Sequence, residues 1–186
     1  RTFSGPNRER MQYVPAAVVR AVADELTGET RLTFLLARFA GLRVVSETHA
    51  LCWSHVDFDK ETLRVFAPKT QRTRTVPMLP VVRDGLLVAF NGAPDGEQRV
   101  FRQRSPLPVL RRGVERAILR AGVAPWPKTF QQLRASFATD CVRALPANSA
   151  AELLGHSLQV AASHYWTADG DDLARAAQAL RNIAES

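Results

Sequence analysis

The sequence has few cysteines and no long apolar segment. Only Cys52 and Cys141 are cysteine, and neither stands at the spacing of a metal-binding motif with cysteine or histidine. This excludes a disulfide framework and predicts small buried thiols in a reducing compartment, with no metal ion. No apolar run approaches the roughly 20 residues that a membrane-spanning helix needs. We therefore expect no membrane association and a cytoplasmic location.

The N-terminus lacks both a methionine and a secretion signal. Residues 1–10 are polar and basic, which is unlike the apolar centre of a signal peptide. A start at Arg1 predicts that the chain is a fragment of a longer protein. We expect residues 1–12 to be the remnant of a linker. Residues 13–186 are expected to form one domain, because no Pro/Gly/Ser-rich stretch divides them.

Acidic residues are in deficit. The chain has 18 Asp and Glu residues against 25 Lys and Arg residues, which gives a formal net charge of +7. Arginine dominates the basic set, and its planar guanidinium binds phosphate at two points. A polyanionic partner, with nucleic acid first, is the leading expectation. Charge alone does not establish it, because many basic domains bind no nucleic acid.

The spacing of apolar residues predicts a mainly helical chain with one small sheet. Helices are predicted over 15–27, 30–40, 80–90, 108–121, 129–145, 149–154, 158–166 and 171–185. Thr30 and Thr129 are candidate N-caps, and Gly41 and Gly155 are placed to end helices. Strands are predicted over 51–58, 62–66 and 74–77. The fold class is therefore α+β, mainly α, with a small three-stranded antiparallel sheet.

Four short segments carry residues suited to chemistry on phosphate. In chain order they are Gly41-Leu42-Arg43 with Ser46-Glu47, Pro68-Lys69-Thr70, Gln131-Gln132-Leu133-Arg134, and Leu154-Gly155-His156 with Tyr165 nine residues later. In this order and spacing they resemble the catalytic domain of tyrosine recombinases, the phage integrase family. The resemblance extends from about Tyr13 to the end. The spacing from Arg43 to Glu47 and the Pro-Trp-Pro-Lys run at 125–128 resemble integrase-like proteins of planctomycete genomes.

The resemblance implies a DNA recombinase that forms a 3′-phosphotyrosine and needs no cofactor or metal. Arg43, Arg134 and His156 would donate to the phosphate, where extra negative charge develops in the transition state. Tyr165 would attack phosphorus. Lys69, in the loop between the second and third strands, would protonate the departing 5′-oxygen as general acid.

Gln131 stands where the family has histidine. A spacing of three places Gln131 and Arg134 on one helix face. Glutamine can donate or accept a hydrogen bond, but it cannot carry a proton near neutral pH. Two interpretations stay open: a recombinase for which a phosphate contact suffices, and a recombinase-derived DNA-binding protein with weak or no catalysis. A type IB topoisomerase, which shares this arrangement of residues, is a third.

The resemblance also implies partners. The partner is double-stranded DNA, which Arg72 and Arg74 are expected to contact because they flank the Lys69 loop. The resemblance implies a tetramer on DNA and an upstream domain that helps to clamp DNA, which we expect to be missing from this fragment. The C-terminal helix would dock on a neighbouring copy through apolar anchors at Leu173, Leu180 and Ile183. Glu47 is expected to brace Arg43 or a backbone amide rather than to act as a catalyst.

Overall fold

The computed structural model of the chain describes residues 12–155. Its helices are α1 (Ala16–Asp24), α2 (Gly28–Phe39), α3 (Pro80–Asn91), α4 (Leu107–Arg120), α5 (Thr129–Ala144) and α6 (Ala147–Leu154). Its strands are β1 (Val56–Asp57), β2 (Thr62–Ala67) and β3 (Arg72–Pro77). This confirms the expected fold class, mainly helical with a three-stranded antiparallel sheet. None of the helices in residues 12–155 combines the length and apolar character needed to cross a bilayer.

Helix α2 is the centre of the core. Its residues from Leu32 to Phe39 are all buried, and α1, α3, α4 and α5 pack around it. A helix that is apolar on all sides is stable only when other elements cover each face. The one charged residue in this run is Arg38, whose guanidinium forms an ion pair of 2.7 Å with Asp140 of α5.

The sheet is a meander in the order β1-β2-β3. Strands β2 and β3 form a hairpin whose register runs from Thr62 opposite Pro77 to Ala67 opposite Arg72. The turn of residues 68–71 therefore carries Lys69 at the tip of the hairpin. This places Lys69 in the loop between the second and third strands, as the sequence pattern predicts.

The two strands of the hairpin alternate between a buried and an exposed face. On β2 the buried residues are Leu63, Val65 and Ala67. On β3 they are Arg74 and Val76. Because alternate residues share a face, Arg74 is directed into the domain together with an apolar neighbour.

The first strand is much shorter than predicted. A strand over 51–58 is wrong, because only Val56–Asp57 pairs with β2, and a 3-10 turn, Trp53–His55, precedes it. The backbone N–H of Cys52 donates to Nδ1 of His55 over 3.2 Å. Such a local side-chain contact satisfies a backbone group that a strand would otherwise pair with its neighbour.

Two predicted N-caps are also wrong. Helix α2 begins at Gly28 after Thr27, so Thr30 lies inside its first turn. Helix α5 begins at Thr129 itself, after Lys128 in a left-handed conformation with φ 48°. The threonine pattern located both helices correctly but placed their N-caps three residues and one residue too late, respectively.

The segment that leads into α1 is fastened to α5. The backbone N–H of Val14 donates to the Ser136 hydroxyl over 2.9 Å, and the Tyr13 hydroxyl donates to Asp140 over 2.8 Å. Buried Arg38 donates from Nε to the carbonyl of Val14 over 3.1 Å. These contacts fix where the chain enters the domain relative to the helix that carries Arg134.

Candidate active site

A glycine turn brings the end of α2 against α5. Gly41 has φ 62°, and a Cβ atom there would lie 2.3 Å from Cδ1 of Phe137. A side chain at this position would meet both a strained backbone and a core ring. The turn thus depends on glycine, and it places Arg43 beside α5.

Glu47 lies at the centre of the site. Its side chain has no exposed surface. It accepts the backbone N–H of Arg43 over 2.9 Å and a guanidinium N–H of Arg43 over 2.6 Å. The expectation that Glu47 braces Arg43 is thereby confirmed. The side chain of Arg43 itself is 35% exposed, so it is only partly covered by the protein.

Arg134 approaches the same carboxylate from α5. One of its terminal nitrogens lies 3.8 Å from an oxygen of Glu47 and also donates to the carbonyl of Gly41. The other donates to the carbonyl of Leu154 over 2.8 Å. Arg134 therefore links the turn after α2 to the end of α6, and its guanidinium lies next to that of Arg43 around Glu47.

Arg74 is the third arginine at this carboxylate. Its two terminal nitrogens donate to the two oxygens of Glu47 over 3.1 Å and 2.7 Å. Only 5% of its side chain is exposed. This differs from the DNA contact expected of Arg74, because the alternation of β3 directs it inward. Arg72 is exposed, and its contact with DNA stays a prediction.

We call Arg43, Arg74 and Arg134 around Glu47 the arginine cluster. Sequence reasoning named two of these arginines for the site and assigned Arg74 to the surface. The sequence did contain evidence for an inward Arg74, since it stands two residues before the apolar Val76 and alternate residues of a strand share a face. The backbone carbonyls that bind Arg134 could not be predicted from the sequence, because every residue has a carbonyl.

The turn after α6 adjoins the arginine cluster. Gly155 ends α6 with φ 63°, as its sequence position predicts, and a Cβ there would lie 3.2 Å from Cδ of Arg74. His156 follows directly but lies outside the described residues. Tyr165 and the predicted helices over 158–166 and 171–185 lie outside them too.

Lys69 and Gln131 are both exposed. Lys69 lies in the hairpin turn, which is closed by a 2.8 Å hydrogen bond from the Gln71 side chain to the carbonyl of Pro68. Gln131 lies in the first turn of α5, one helical turn before Arg134. Both side chains are therefore accessible to solvent, and their place in a common site with Arg43 and Arg134 stays a prediction.

The arginine cluster has an excess of positive charge. Three guanidinium groups surround one carboxylate, which leaves a formal charge of +2 in a largely buried place. Burial alone would raise the pKa of Glu47. The hydrogen bonds and charge of Arg74, the backbone N–H of Arg43 and the charge of Arg134 outweigh burial and lower that pKa to about 2. The carboxylate thus stays ionised, and the remaining positive charge favours an anion such as phosphate.

The low pKa of Glu47 predicts a loss of stability in acid. A carboxyl whose pKa is lower in the folded state stabilises the fold above its ordinary pKa of 4.5, and this contribution disappears as the pH falls to about 2. The shift corresponds to about 3 kcal/mol. Urea denaturation from pH 7 to pH 2 should show the free energy of unfolding of the wild type converging on that of Glu47→Gln. A constant difference between the two proteins over this range would contradict it.

Neither cysteine belongs to the site. Both are free thiols, with Cys141 buried on α5 and Cys52 half-buried. Burial raises the pKa of the Cys141 thiol to about 11, which leaves it protonated and unreactive. Within residues 12–155, His, Cys, Asp and Glu side chains form no group of three that could hold a metal ion.

The described part of the chain thus has helices packed around α2, a β-hairpin with a lysine at its tip, and an arginine cluster beside the turn at Gly155. The sequence model of the phage integrase family matches residues 14–170, and the chain therefore belongs to the phage integrase family. No curated protein sequence matches the chain. The resemblance to planctomycete integrase-like proteins stays a prediction.

Solved structures share the fold at low sequence identity. XerA recombinase has a TM-score of 0.72 and 18% identity, over 96% of this chain and 66% of that one. The Tn1549 transposon integrase, in complex with transposon right end DNA, has a TM-score of 0.74 and 17% identity, over 94% and 67%. XerH recombinase, bound to its difH substrate, has 0.68 and 19%, over 90% and 54%. The chain thus spans roughly half to two thirds of these three proteins.

Proposed function

We propose that this chain is the catalytic domain of a site-specific DNA recombinase or integrase that cleaves and rejoins DNA through a 3′-phosphotyrosine at Tyr165. One observation carries the proposal: Arg43 and Arg134, which are distant in sequence, lie at the same buried carboxylate. Membership of the phage integrase family supports it. The DNA-bound states of the Tn1549 integrase and XerH support double-stranded DNA as the partner.

The two arginines would bind the phosphate at which the strand is cut. When a nucleophile attacks phosphorus, negative charge grows on the two non-bridging oxygens. Arg43 and Arg134 would offer planar N–H forks to these oxygens. Before the substrate arrives, Glu47 holds the fork of Arg43, and the carbonyls of Gly41 and Leu154 hold that of Arg134 next to it. Donors fixed in advance stabilise the transition state without reorganising during the reaction.

The remaining groups would move protons and form the covalent bond. The Tyr165 oxygen forms a bond to phosphorus as the bond from phosphorus to the 5′-oxygen breaks. Tyr165 loses its phenolic proton to water, which nearby positive charge makes easier. Lys69 gives a proton to the departing 5′-oxygen, and His156 donates to the phosphate. The phosphotyrosine retains the bond energy, so a 5′-hydroxyl of another strand can reverse the step.

The proposal is tested by trapping the covalent intermediate. Preferred duplex sequences are first selected from a random library, and nicked duplexes based on them are then incubated with the chain. A cleavage beside the nick releases a short fragment, which traps the adduct. We expect a band that survives denaturing electrophoresis and peptide mass spectra that place the nucleotide on Tyr165. An adduct on another residue would contradict the proposal. Relaxation of supercoiled plasmid with little sequence preference would indicate a topoisomerase instead.

A DNA-binding protein derived from a recombinase, with weak or no catalysis, is the second candidate. Gln131 favours it, because it occupies an exposed place in the first turn of α5 where the family has a histidine. Specific DNA binding without an adduct on nicked substrates would support this candidate. The salt dependence of binding does not separate the two, because both bind phosphates and release counterions.

Restoring histidine at position 131 should speed the reaction. A positioned acid or base contributes typically 10²–10⁴-fold, and Gln131→His is expected to raise the rate of adduct formation by at least roughly 10-fold. Single-turnover rates on one nicked substrate measure this, with Gln131→Ala as the control for the loss of the amide contact. A rate for Gln131→His equal to or below that of the wild type would show that this position needs no proton carrier.

The family resemblance also supports a proposal about assembly on DNA. We propose a homotetramer on DNA in which residues 171–186 of one copy dock on a neighbour through Leu173, Leu180 and Ile183. Arg72, exposed at the start of β3 near the Lys69 turn, is proposed to contact a DNA phosphate. Phosphate contacts of this kind fix the position of a protein on DNA but do not read its sequence.

A further inference from the structure

Arg74 occupies a place that the reaction proposed above leaves unexplained. It is neither one of the two arginines that would bind the DNA phosphate nor one of the groups that would move protons or form the covalent bond. It nevertheless makes the most complete contact with Glu47. Its two terminal nitrogens bind the two carboxylate oxygens in parallel, which is the geometry of strong arginine–carboxylate pairs. Arg43 and Arg134 contact the same two oxygens from other directions.

We infer that Arg74 is a positioning residue for the proposed reaction: it fixes the Glu47 carboxylate, which in turn sets the spacing of Arg43 and Arg134, and it ties the Lys69 hairpin to them. This inference rests on the proposed function. It adds a residue that acts through another side chain and does not touch the substrate.

The exposure of Arg74 separates it from the arginines that would bind phosphate. Its side chain is 5% exposed, against 35% for Arg43 and 13% for Arg134. Both of its terminal nitrogens are engaged by Glu47, and one also lies 3.5 Å from the carbonyl of Gly41. Arg74 therefore has little surface left for a substrate, and its effect on one must pass through Glu47.

Stability alone does not account for this arrangement. A buried ion pair can often be replaced by apolar residues without loss of stability, because removing charges from water is costly. Here a third guanidinium joins a carboxylate that already has two. The Nε–H of Arg74 is also buried without a hydrogen-bond partner in the described part of the chain. A buried donor of this kind costs about 1–3 kcal/mol. The arrangement suits a site that must hold its donors rigidly for an anion.

Arg74 also joins three segments that carry proposed reacting groups. It belongs to β3, in the hairpin whose turn bears Lys69. Its partner Glu47 also binds Arg43, in the segment that follows α2. Its Cδ atom lies 3.2 Å from where a Cβ of Gly155 would be, directly before His156. The hairpin and α6 border a cleft of about 320 Å³ that Arg74 and Gly155 line. A shift of Arg74 would therefore change several distances in the site at once.

The test compares Arg74→Met and Arg74→Lys with the wild-type chain. Methionine removes the charge and both hydrogen bonds, whereas lysine keeps the charge but not the fork. A misplacement of about 1 Å can cost 10²-fold in rate, so we expect adduct formation at saturating DNA to fall roughly 100-fold in Arg74→Met and roughly 10-fold in Arg74→Lys. The dissociation constant for DNA should change by less than about 3-fold, because phosphate contacts outside the site supply most of the affinity. Arg64→Met, an exposed arginine on β2, is the matched control.

The pH profile gives a readout that a purely structural role would not change. Without Arg74, Glu47 loses the largest of the influences that lower its pKa, so its pKa rises relative to the wild type. The rate for Arg74→Met should therefore fall on acidification at a pH where the rates for the wild type and Arg64→Met do not. Identical profiles for all three proteins would overturn the inference.

Orthovanadate binding decides the inference independently of catalysis. Isothermal titration of each chain with orthovanadate, alongside thermal unfolding, should show weaker binding by roughly 10-fold or more in Arg74→Met, and an intermediate loss in Arg74→Lys. If Arg74→Met does not fold, Arg74→Lys supplies the comparison. If the wild type forms no adduct, the proposed reaction fails while the vanadate affinities still apply. Equal affinities in the wild type and the folded variants would overturn the positioning role.

Discussion

Replacing Tyr165 by phenylalanine is expected to abolish the covalent protein–DNA adduct completely. The substitution removes the one oxygen that attacks phosphorus in the proposed reaction. The affinity for DNA should change by less than about 3-fold, because phosphate contacts elsewhere supply most of it. Denaturing electrophoresis on nicked substrates measures the adduct, and fluorescence anisotropy measures the affinity.

The chain provides its own control for this experiment, because Tyr13 is the only other tyrosine. Tyr13 lies in the segment that enters α1, and its hydroxyl donates to Asp140 of α5. Tyr13→Phe should keep the adduct at a rate close to that of the wild type, with a small loss of stability. An adduct that persists in Tyr165→Phe, or one that disappears only in Tyr13→Phe, would refute the assignment of the nucleophile.

Replacing Arg134 by lysine should have the second largest effect. Lysine keeps the charge but loses the planar fork, and one lost donor at a developing oxyanion costs about 10²–10³-fold in rate. We expect adduct formation to slow by roughly that factor or more. The carbonyls of Gly41 and Leu154 also lose their donor, which should lower the free energy of unfolding by about 1–3 kcal/mol.

The matched control for Arg134→Lys is Arg143→Lys on the same helix. Arg143 is exposed and lies over the Tyr13 ring, at 5.6 Å from its centre, away from the arginine cluster. The Arg143→Lys variant should retain the wild-type rate of adduct formation and nearly all of the wild-type free energy of unfolding. Single-turnover cleavage and urea denaturation report the two effects separately. A rate for Arg134→Lys within a few-fold of the wild type would exclude a direct phosphate contact by Arg134.

Much of the fold could be predicted from the sequence because its signals are local. The helices follow from apolar spacing, and the hairpin follows from two short strand patterns around Lys69. Gly41 and Gly155 mark helix ends because their backbone conformations are left-handed. The first strand was predicted too long because a side-chain contact between Cys52 and His55 forms a turn instead, and such a contact has no strong periodic signal.

The site was only partly predictable. Arg43 and Arg134 were named from the motifs, and the structure brings them together at Glu47. The role of Arg74 was missed, because an arginine beside a lysine-bearing loop is expected on the surface. Its burial depends on a carboxylate that is distant along the chain and close only after α2 and the hairpin have packed. Contacts of this kind depend on tertiary structure, and single-sequence patterns do not contain them.

The most direct test of the central claim is a crystal structure of the chain with orthovanadate and a nicked DNA duplex. Vanadate adopts the five-coordinate geometry of the transition state. We expect Arg43 and Arg134 to donate to equatorial oxygens, with Glu47 and Arg74 behind them and the Tyr165 oxygen at an apical position. Vanadate bound elsewhere, or guanidinium groups of Arg43 and Arg134 turned away from it, would contradict the account.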